Sequence, residues 1–374
     1  MSKIVYSSSV SMSERFAFAA APLAAPVPLP GELEEMQEGV RELLEILSWA
    51  RPHGSQAEAQ FVELHVCKVL DGLGVPYDRD GFGNVWAAVP KAVNSGPDVL
   101  WSCHVDTVHA SGGRQGVRFA DDGQTVELVK RKAGRCLGAD DGAGLWLMLE
   151  MIRARVPGGY VFHRGEEKGR LGSCYVVECE PERLQGWDAC VAFDRRDYQD
   201  IITHQLGERC ASEAFAASLS AALNETGRGL KYRADDTGSY TDSYSYMGVI
   251  PECTNVSVGY SGEHGPRETL DALHVWRLRK ALVSADLSGL VIQRDPTELT
   301  YYGSAWGWGG QYDDDSAFAF GSPAGAYDAQ GELLDLVQRF PVLAAELLDS
   351  VGITADDFLE AMSPAEFGQA MGRR

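Results

Sequence analysis

Apolar positions along this chain follow two alternating spacings. In residues 32–49, Met36, Val40, Leu43, Leu44 and Leu47 recur at three- and four-residue steps, the period of a helix with one buried face. Residues 55–73 repeat that pattern with Ala59, Val62, Val66, Val69 and Leu73. Between such stretches lie short, nearly unbroken apolar runs: Val99-Leu100-Trp101, Tyr160-Val161-Phe162 and Ala189-Cys190-Val191-Ala192-Phe193. Runs of this length read as strands covered on both faces. The Gly81–Trp86 stretch reads as a turn feeding another strand, and residues 254–258 as a further one. Helical spacing predicts helices at 142–155, about 208–223 and about 267–285. Strands alternating with helices define an α/β class: a three-layer fold with a mixed, mostly parallel sheet and helices on both faces.

The two ends of the chain differ from this core. Residues 1–31 are rich in Ser, Ala and Pro and read as a tail or arm. An export signal is the alternative, although Pro22, Pro26, Pro28 and Pro30 interrupt its apolar stretch. Residues 32–290 form the expected catalytic domain. Residues 291–330 hold Tyr301, Tyr302, Trp306 and Trp308 among many Gly and Asp without a period, as a linker or wrapping segment would. Helical spacing returns over 331–374, through Leu333, Leu334, Leu336, Val337, Leu343, Leu347 and Leu348, and predicts a helical appendage.

Charge narrows the choice of function. Among 374 residues, 33 basic and 54 acidic side chains leave a net charge of −21, which repels phosphate backbones and anionic lipid. Nucleic acid and membrane are therefore not expected partners, and no apolar run is long enough for a spanning helix. Eight cysteines, none in C-x-x-C spacing, argue against a disulfide scaffold or a thiolate zinc site and for reduced, mostly buried thiols. A cytoplasmic location is expected, with secretion as the alternative. Neither a P-loop nor a dinucleotide fingerprint is present.

The chemistry sits just after the apolar runs. His104-Val105-Asp106 follows the run at 99, and Gly138-Ala139-Asp140-Asp141-Gly142 opens the helix at 142. Gly165-Glu166-Glu167 follows the run at 160, Asp194 the run at 189, and Gly262-Glu263-His264 the strand at 254. Side chains at the carboxyl ends of strands in an open α/β sheet can converge even when far apart in sequence. Imidazole and carboxylate donors without thiolate suit a pair of zinc ions, one carboxylate bridging them. Two Zn²⁺ ions, the carboxylates of Asp140, Glu167 and Asp194, and one hydroxide balance to neutrality, as a buried site requires.

These five motifs, in this order over residues 34–285, resemble the series of the co-catalytic di-zinc peptidase clan. That clan includes the aminopeptidase S/Y family, peptidase T and the carboxypeptidase G-like enzymes. The resemblance implies His104 and Asp194 as ligands of one zinc, Glu167 and His264 as ligands of the other, and Asp140 as the bridge. It further implies Glu166 as general base and Asp106 as the group that orients His104. In relatives the bond after the bridging Asp is often cis, so the same is expected of Asp140–Asp141. The implied cofactor is Zn²⁺, two per chain, with Co or Mn as alternatives. The implied activity is exopeptidase hydrolysis of a peptide or amino-acid amide, most closely an aminopeptidase. The alternative is a dipeptidase, carboxypeptidase or N-acyl amino acid deacylase of the same clan.

The carboxypeptidase G and peptidase T branches insert a separate domain between the positions of Asp194 and His264. Here 70 residues separate the two, and they must also complete the main sheet. This spacing favours the aminopeptidase branch, while the Leu137–Gly144 stretch also resembles peptidase T. Clan members often form homo-oligomers, and the C-terminal helices offer one means. A weaker cluster, Gly238-Ser239-Tyr240-Thr241-Asp242-Ser243, resembles a stretch near the metals of the aminopeptidase branch. It reads either as a support for the site through Asp242 and Tyr240 or as a plain helix cap. Asp313-Asp314-Asp315 reads as a solvated loop, and the remaining six histidines as surface or satisfied buried imidazoles.

Overall fold

A computed structural model describes residues 28–92 and 95–297. The expectations for most of the N-terminal tail, for the Tyr- and Trp-rich segment from residue 298 and for the helical appendage fall outside these residues. The helices are α1 (Glu32–Gly39), α2 (Arg41–Leu47), α3 (Gln56–Phe61), α4 (Lys68–Leu73), α5 (Ala139–Arg153), α6 (Leu171–Cys179), α7 (Glu213–Asn224), α8 (Asp242–Ser245) and α9 (Ala272–Ser284). A π-helical turn, Val62–Cys67, joins α3 to α4.

The strands are β1 (Tyr77–Arg79), β2 (Val85–Val89), β3 (Val99–His104), β4 (Val117–Phe119), β5 (Thr125–Leu128), β6 (Gly158–His163), β7 (Ala189–Arg195), β8 (Asp200–Ile202), β9 (Arg233–Asp235), β10 (Glu252–Ser257), β11 (Tyr260–Ser261) and β12 (Thr269–Asp271). Eight of them form one sheet in the order β9-β8-β10-β7-β3-β6-β2-β1.

The four strands β10, β7, β3 and β6 run parallel, and these carry or precede most of the predicted chemistry. Towards both edges the sheet turns antiparallel, at β8–β10, β2–β6 and β1–β2, so it is less parallel than the alternating pattern predicts. Connection length explains this. Only residues 196–199 join β7 to β8, and only 80–84 join β1 to β2. A parallel crossover needs about a dozen residues or more, so such short links must reverse the chain.

Alternate residues of the central strands feed two cores. Trp101, Tyr160, Val191 and Phe193 pack on one side with Trp146, Met148 and Leu149 of α5. Leu100, Val161, Cys190 and Cys253 pack on the other with Val176, Tyr246 and Met247. Burying such a side chain contributes about 1.5–3 kcal/mol, which fixes the strand register because a one-residue slip would exchange the faces. All eight cysteines are free and six are buried, as the sequence suggests.

Several predicted boundaries move. The 32–49 helix breaks at Val40, whose ψ of 16° departs from helical geometry. The helix expected from about 208 starts at Glu213, because the Ser212 hydroxyl accepts from the Phe215 N–H and caps it there. The helix near 267 starts at Ala272, capped by Asp271, after β12. That strand belongs to a second sheet, β11-β12-β5-β4, which the sequence pattern does not reveal. Its pairing of Thr269 with Glu127 and Asp271 with Thr125 places the 262–268 loop over the carboxyl ends of the central strands. The chain between Asp194 and His264 supplies β8, β9, β10 and α7, so those residues complete the main sheet rather than form an inserted domain.

Candidate metal centre

His104 is the last residue of β3 and is 1% exposed. Its Nδ1 lies 3.1 Å from the backbone oxygen of Asp106. A carbonyl only accepts, so Nδ1 donates to it and Nε2 faces the site, where burial is outweighed by the Asp194 and Asp140 carboxylates, which push the ring's pKa well above its usual value. There Nε2 stands 3.0 Å from Asp140 Oδ1 and 3.6 Å from Asp194 Oδ1. On the other side, His264 Nε2 lies 3.1 Å from Asp140 Oδ2 and 3.3 Å from Glu167 Oε2. The two oxygens of Asp140 therefore face different imidazoles. Asp194 sits beyond one imidazole and Glu167 beside the other. All five residues expected as metal ligands converge. His104, Asp140 and Glu167 offer donor atoms within 4.8 Å of one another, as do His104, Asp141 and Asp194.

Buried carboxylates hold the segments that carry these groups. Asp106 accepts the backbone N–H groups of Gly165 (2.8 Å), Glu166 (3.1 Å) and Glu167 (3.2 Å). Its carboxylate is 3.7 Å from His104 Nδ1, so it is the Asp106 carbonyl, not the expected carboxylate, that orients the imidazole. The carboxylate instead holds the turn bearing the predicted base. Glu268 does the same on the opposite wall, accepting from Gly138 (2.9 Å), Ala139 (2.8 Å) and Asp140 (3.0 Å). The buried Arg51 guanidinium donates to Val105 and Gly138 carbonyls and ties the two walls together. The Asp140–Asp141 bond is cis, as the resemblance implies.

Sequence reasoning missed both Glu268 and Arg51. Nothing local distinguishes them from surface charges, since their partners lie 128–130 and 54–87 positions away.

Electrostatics supports a cation here. Burial, reinforced by the Asp140 charge, raises Glu167 to about 7, Asp194 to about 6 and Glu268 to about 7. Glu166 is pushed well above its usual value by burial. Asp140 goes the other way: burial opposes its charge, but hydrogen bonds with His104 and His264 outweigh it and lower the pKa. Hydrogen bonds to Asp140 and Glu167 raise His264 to about 11. One oxygen of Glu167, Oε1, is buried without a hydrogen-bond partner. Buried carboxylates crowded around two imidazoles, and an orphaned carboxylate oxygen among them, favour a divalent ion. The residues present fit a divalent metal.

The weaker cluster also takes shape. Thr241 stands at the N-cap of α8 without a side-chain cap bond, and both Asp242 oxygens are buried without hydrogen-bond partners. The plain capping role is therefore not what this stretch does. His163 and His109, expected as satisfied buried imidazoles, are such: His163 bonds Tyr246 and Ser102, and His109 bonds Thr107 and Gln115.

No protein-family model matches the sequence, and no curated protein matches it. Solved structures do. The chain is similar to a tripeptidase from Staphylococcus aureus, with TM-score 0.55 and 15% identity over 68% of this chain and 97% of that one. It is similar to the aminopeptidase PepT of Bacillus cereus, with TM-score 0.54 and 14% identity over 68% and 98%. An aminopeptidase from the archaeon Desulfurococcus kamchatkensis gives TM-score 0.52 and 14% identity over 68% and 96%. At this identity the likeness establishes the fold: the described α/β body has the architecture of these peptidases. No helix among the described residues is long and apolar enough to cross a membrane.

Proposed function

We propose that this protein is a metal-dependent exopeptidase of the co-catalytic zinc peptidase clan, acting as an aminopeptidase, with residues 32–290 as its catalytic domain. The observation that carries this reading is the double engagement of Asp140, whose two oxygens meet two different imidazoles at 3.0 and 3.1 Å. His104 and Asp194 would hold one zinc, Glu167 and His264 the other, and Asp140 would bridge them. When bound, such a pair supplies Lewis acidity toward a peptide carbonyl and lowers the pKa of water.

The chain's own residues do the rest. Asp106 fixes the backbone of residues 165–167, so neighbouring Glu166 and Glu167 keep separate roles. The Glu166 carboxylate hydrogen-bonds no protein group among the described residues, which leaves it available to take a proton from the attacking water and pass it to the leaving amine. Burial keeps its affinity for that proton high. Tyr260 donates to Asp194 Oδ1 at 3.1 Å and fixes that carboxylate's orientation.

The test combines metal analysis with kinetics. The purified protein is expected to bind two zinc equivalents and to hydrolyse Leu-p-nitroanilide in preference to an N-acylated amino acid. A chelator should abolish the activity. Glu166→Ala should cost about 10²–10⁴ in kcat with both metals retained. Preference for the acylated substrate would move the assignment to the deacylases, and unchanged turnover in Glu166→Ala would refute the base.

A further inference from the structure

Arg170 follows the predicted base by four residues, and its backbone N–H donates to the Glu166 carbonyl at 2.8 Å. Its φ of 59° lies in the left-handed region, which a non-glycine side chain occupies at a cost of about 1 kcal/mol or more. Such strain persists where surrounding contacts impose it, and here they are visible. The guanidinium carbon sits 4.8 Å from the ring centres of both Tyr240 and Tyr244. Nη1 donates to Ser245 Oγ at 2.9 Å, and Ser245 in turn contacts Ser173 at 3.0 Å. Two rings and a hydroxyl thus hold the fork in one orientation.

The position relative to the metal centre follows from the same segment. Tyr240 lies just before α8, which packs against β3 and β7, the strands that carry His104 and Asp194. Arg170 therefore stands on the wall that runs from Glu166 to Asp194. In a chain of net charge −21, Arg164, Arg183, Arg195 and Arg277 each pair with an acid, while Arg51 spends its donors on carbonyls. Arg170 pairs with none among the described residues. Its Nε is enclosed without a partner, and Nη2 makes no hydrogen bond to the described protein.

We propose that Arg170 is a specificity-determining residue that receives a substrate carboxylate, so that the enzyme prefers peptides bearing a carboxylate near the scissile bond over their uncharged counterparts. This rests on the exopeptidase reading and names its substrate class. A guanidinium whose orientation is already fixed loses little freedom on binding, and a charge-assisted bond to it discriminates by about 10- to 100-fold.

Two sources can present that group: the free C-terminus of a short peptide or an acidic side chain. The experiment measures kcat/KM of the zinc-loaded full chain on three matched pairs. Ala-Ala against Ala-Ala-amide reports the C-terminus. Ala-Glu-amide against Ala-Gln-amide reports the side chain after the scissile bond, and Glu-Ala-amide against Gln-Ala-amide the one before it. At least one pair is expected to show about a 10- to 100-fold preference for the acid. Arg170→Gln should collapse that ratio towards one, and Arg170→Lys should leave it in between, because an ammonium lacks the planar fork.

A ratio near one in all three pairs for the wild type overturns the inference while leaving the peptidase reading intact. A preference that survives Arg170→Gln also overturns it. Absence of hydrolysis of every peptide by metal-loaded protein overturns both.

Discussion

The two halves of the candidate centre are built differently. His104 ends a central strand, is 1% exposed, and has its ring turned by a carbonyl two residues away. His264 lies on a loop with φ 61°, and its side chain is 46% exposed. The first imidazole is positioned by the parallel ladder, where His104 stands beside His163. The second is positioned by the pairing of β12 with β5 and by contacts to Asp140 and Glu167 alone. One half is part of the core, and the other closes over it. Removing metal should therefore disturb the two sides unequally.

Alanine at each imidazole gives the largest contrast. In metal-free protein, His104→Ala should lower unfolding free energy by about 3–5 kcal/mol, because it strips a buried partner from Asp140 and Asp194. His264→Ala should cost about 1 kcal/mol or less, since its contacts are half in solvent. Urea titration in the presence of a chelator reads both, and equal losses would erase the distinction.

Glu268 offers a smaller and more local probe. Glu268→Gln removes the charge and half of the acceptors for the Gly138, Ala139 and Asp140 N–H groups, at about 1–3 kcal/mol. It should also weaken metal binding at both positions together, because it loosens the shared Asp140. Calorimetric zinc titration showing only one site weakened would contradict the bridging role.

In pH dependence the buried His163 beside the first half and His264 in the second should differ in sign. Burial lowers His163 from the usual 6.5 to about 3. Below pH 6.5 the unfolded chain binds a proton that the fold refuses, so stability falls as pH drops from 6.5 towards 3. His163→Gln should flatten that slope by up to about 1.4 kcal/mol per pH unit. His264, raised to about 11 by Asp140 and Glu167, contributes stability that is present below 6.5 and lost as pH rises towards 11 in metal-free protein. Solvent screening makes that slope the shallower one. Denaturation midpoints from pH 4 to 10 for both variants would separate the contributions.

The apolar runs at 99, 160 and 189 were readable because strands covered on both faces have no polar side to display. His104, Asp106, Glu166, Glu167 and Asp194 were readable because they end or closely follow such runs, while the Asp140 motif opens a helix and His264 follows a separate strand. By contrast, β4, β5, β11 and β12 are two to four residues long and only partly buried, too short to set a period. The antiparallel edges were hidden for a related reason, since connection length and not strand composition sets direction. Arg51 and Glu268 look like surface residues in sequence, yet both are buried.

By itself the sequence determined an α/β body and singled out seven candidate side chains, because hydrophobic spacing and residue type are local properties of a chain. Only the tertiary structure decided that Asp140 faces two imidazoles, that Asp106 grips the 165–167 turn with its carboxylate while its carbonyl steers His104, and that Arg170 stands braced between two tyrosines without an acid partner among the described residues. Apart from the two-residue reach of the Asp106 carbonyl to His104, those are matters of distance between residues tens to more than a hundred positions apart, set by strand order and loop closure, which no local pattern encodes.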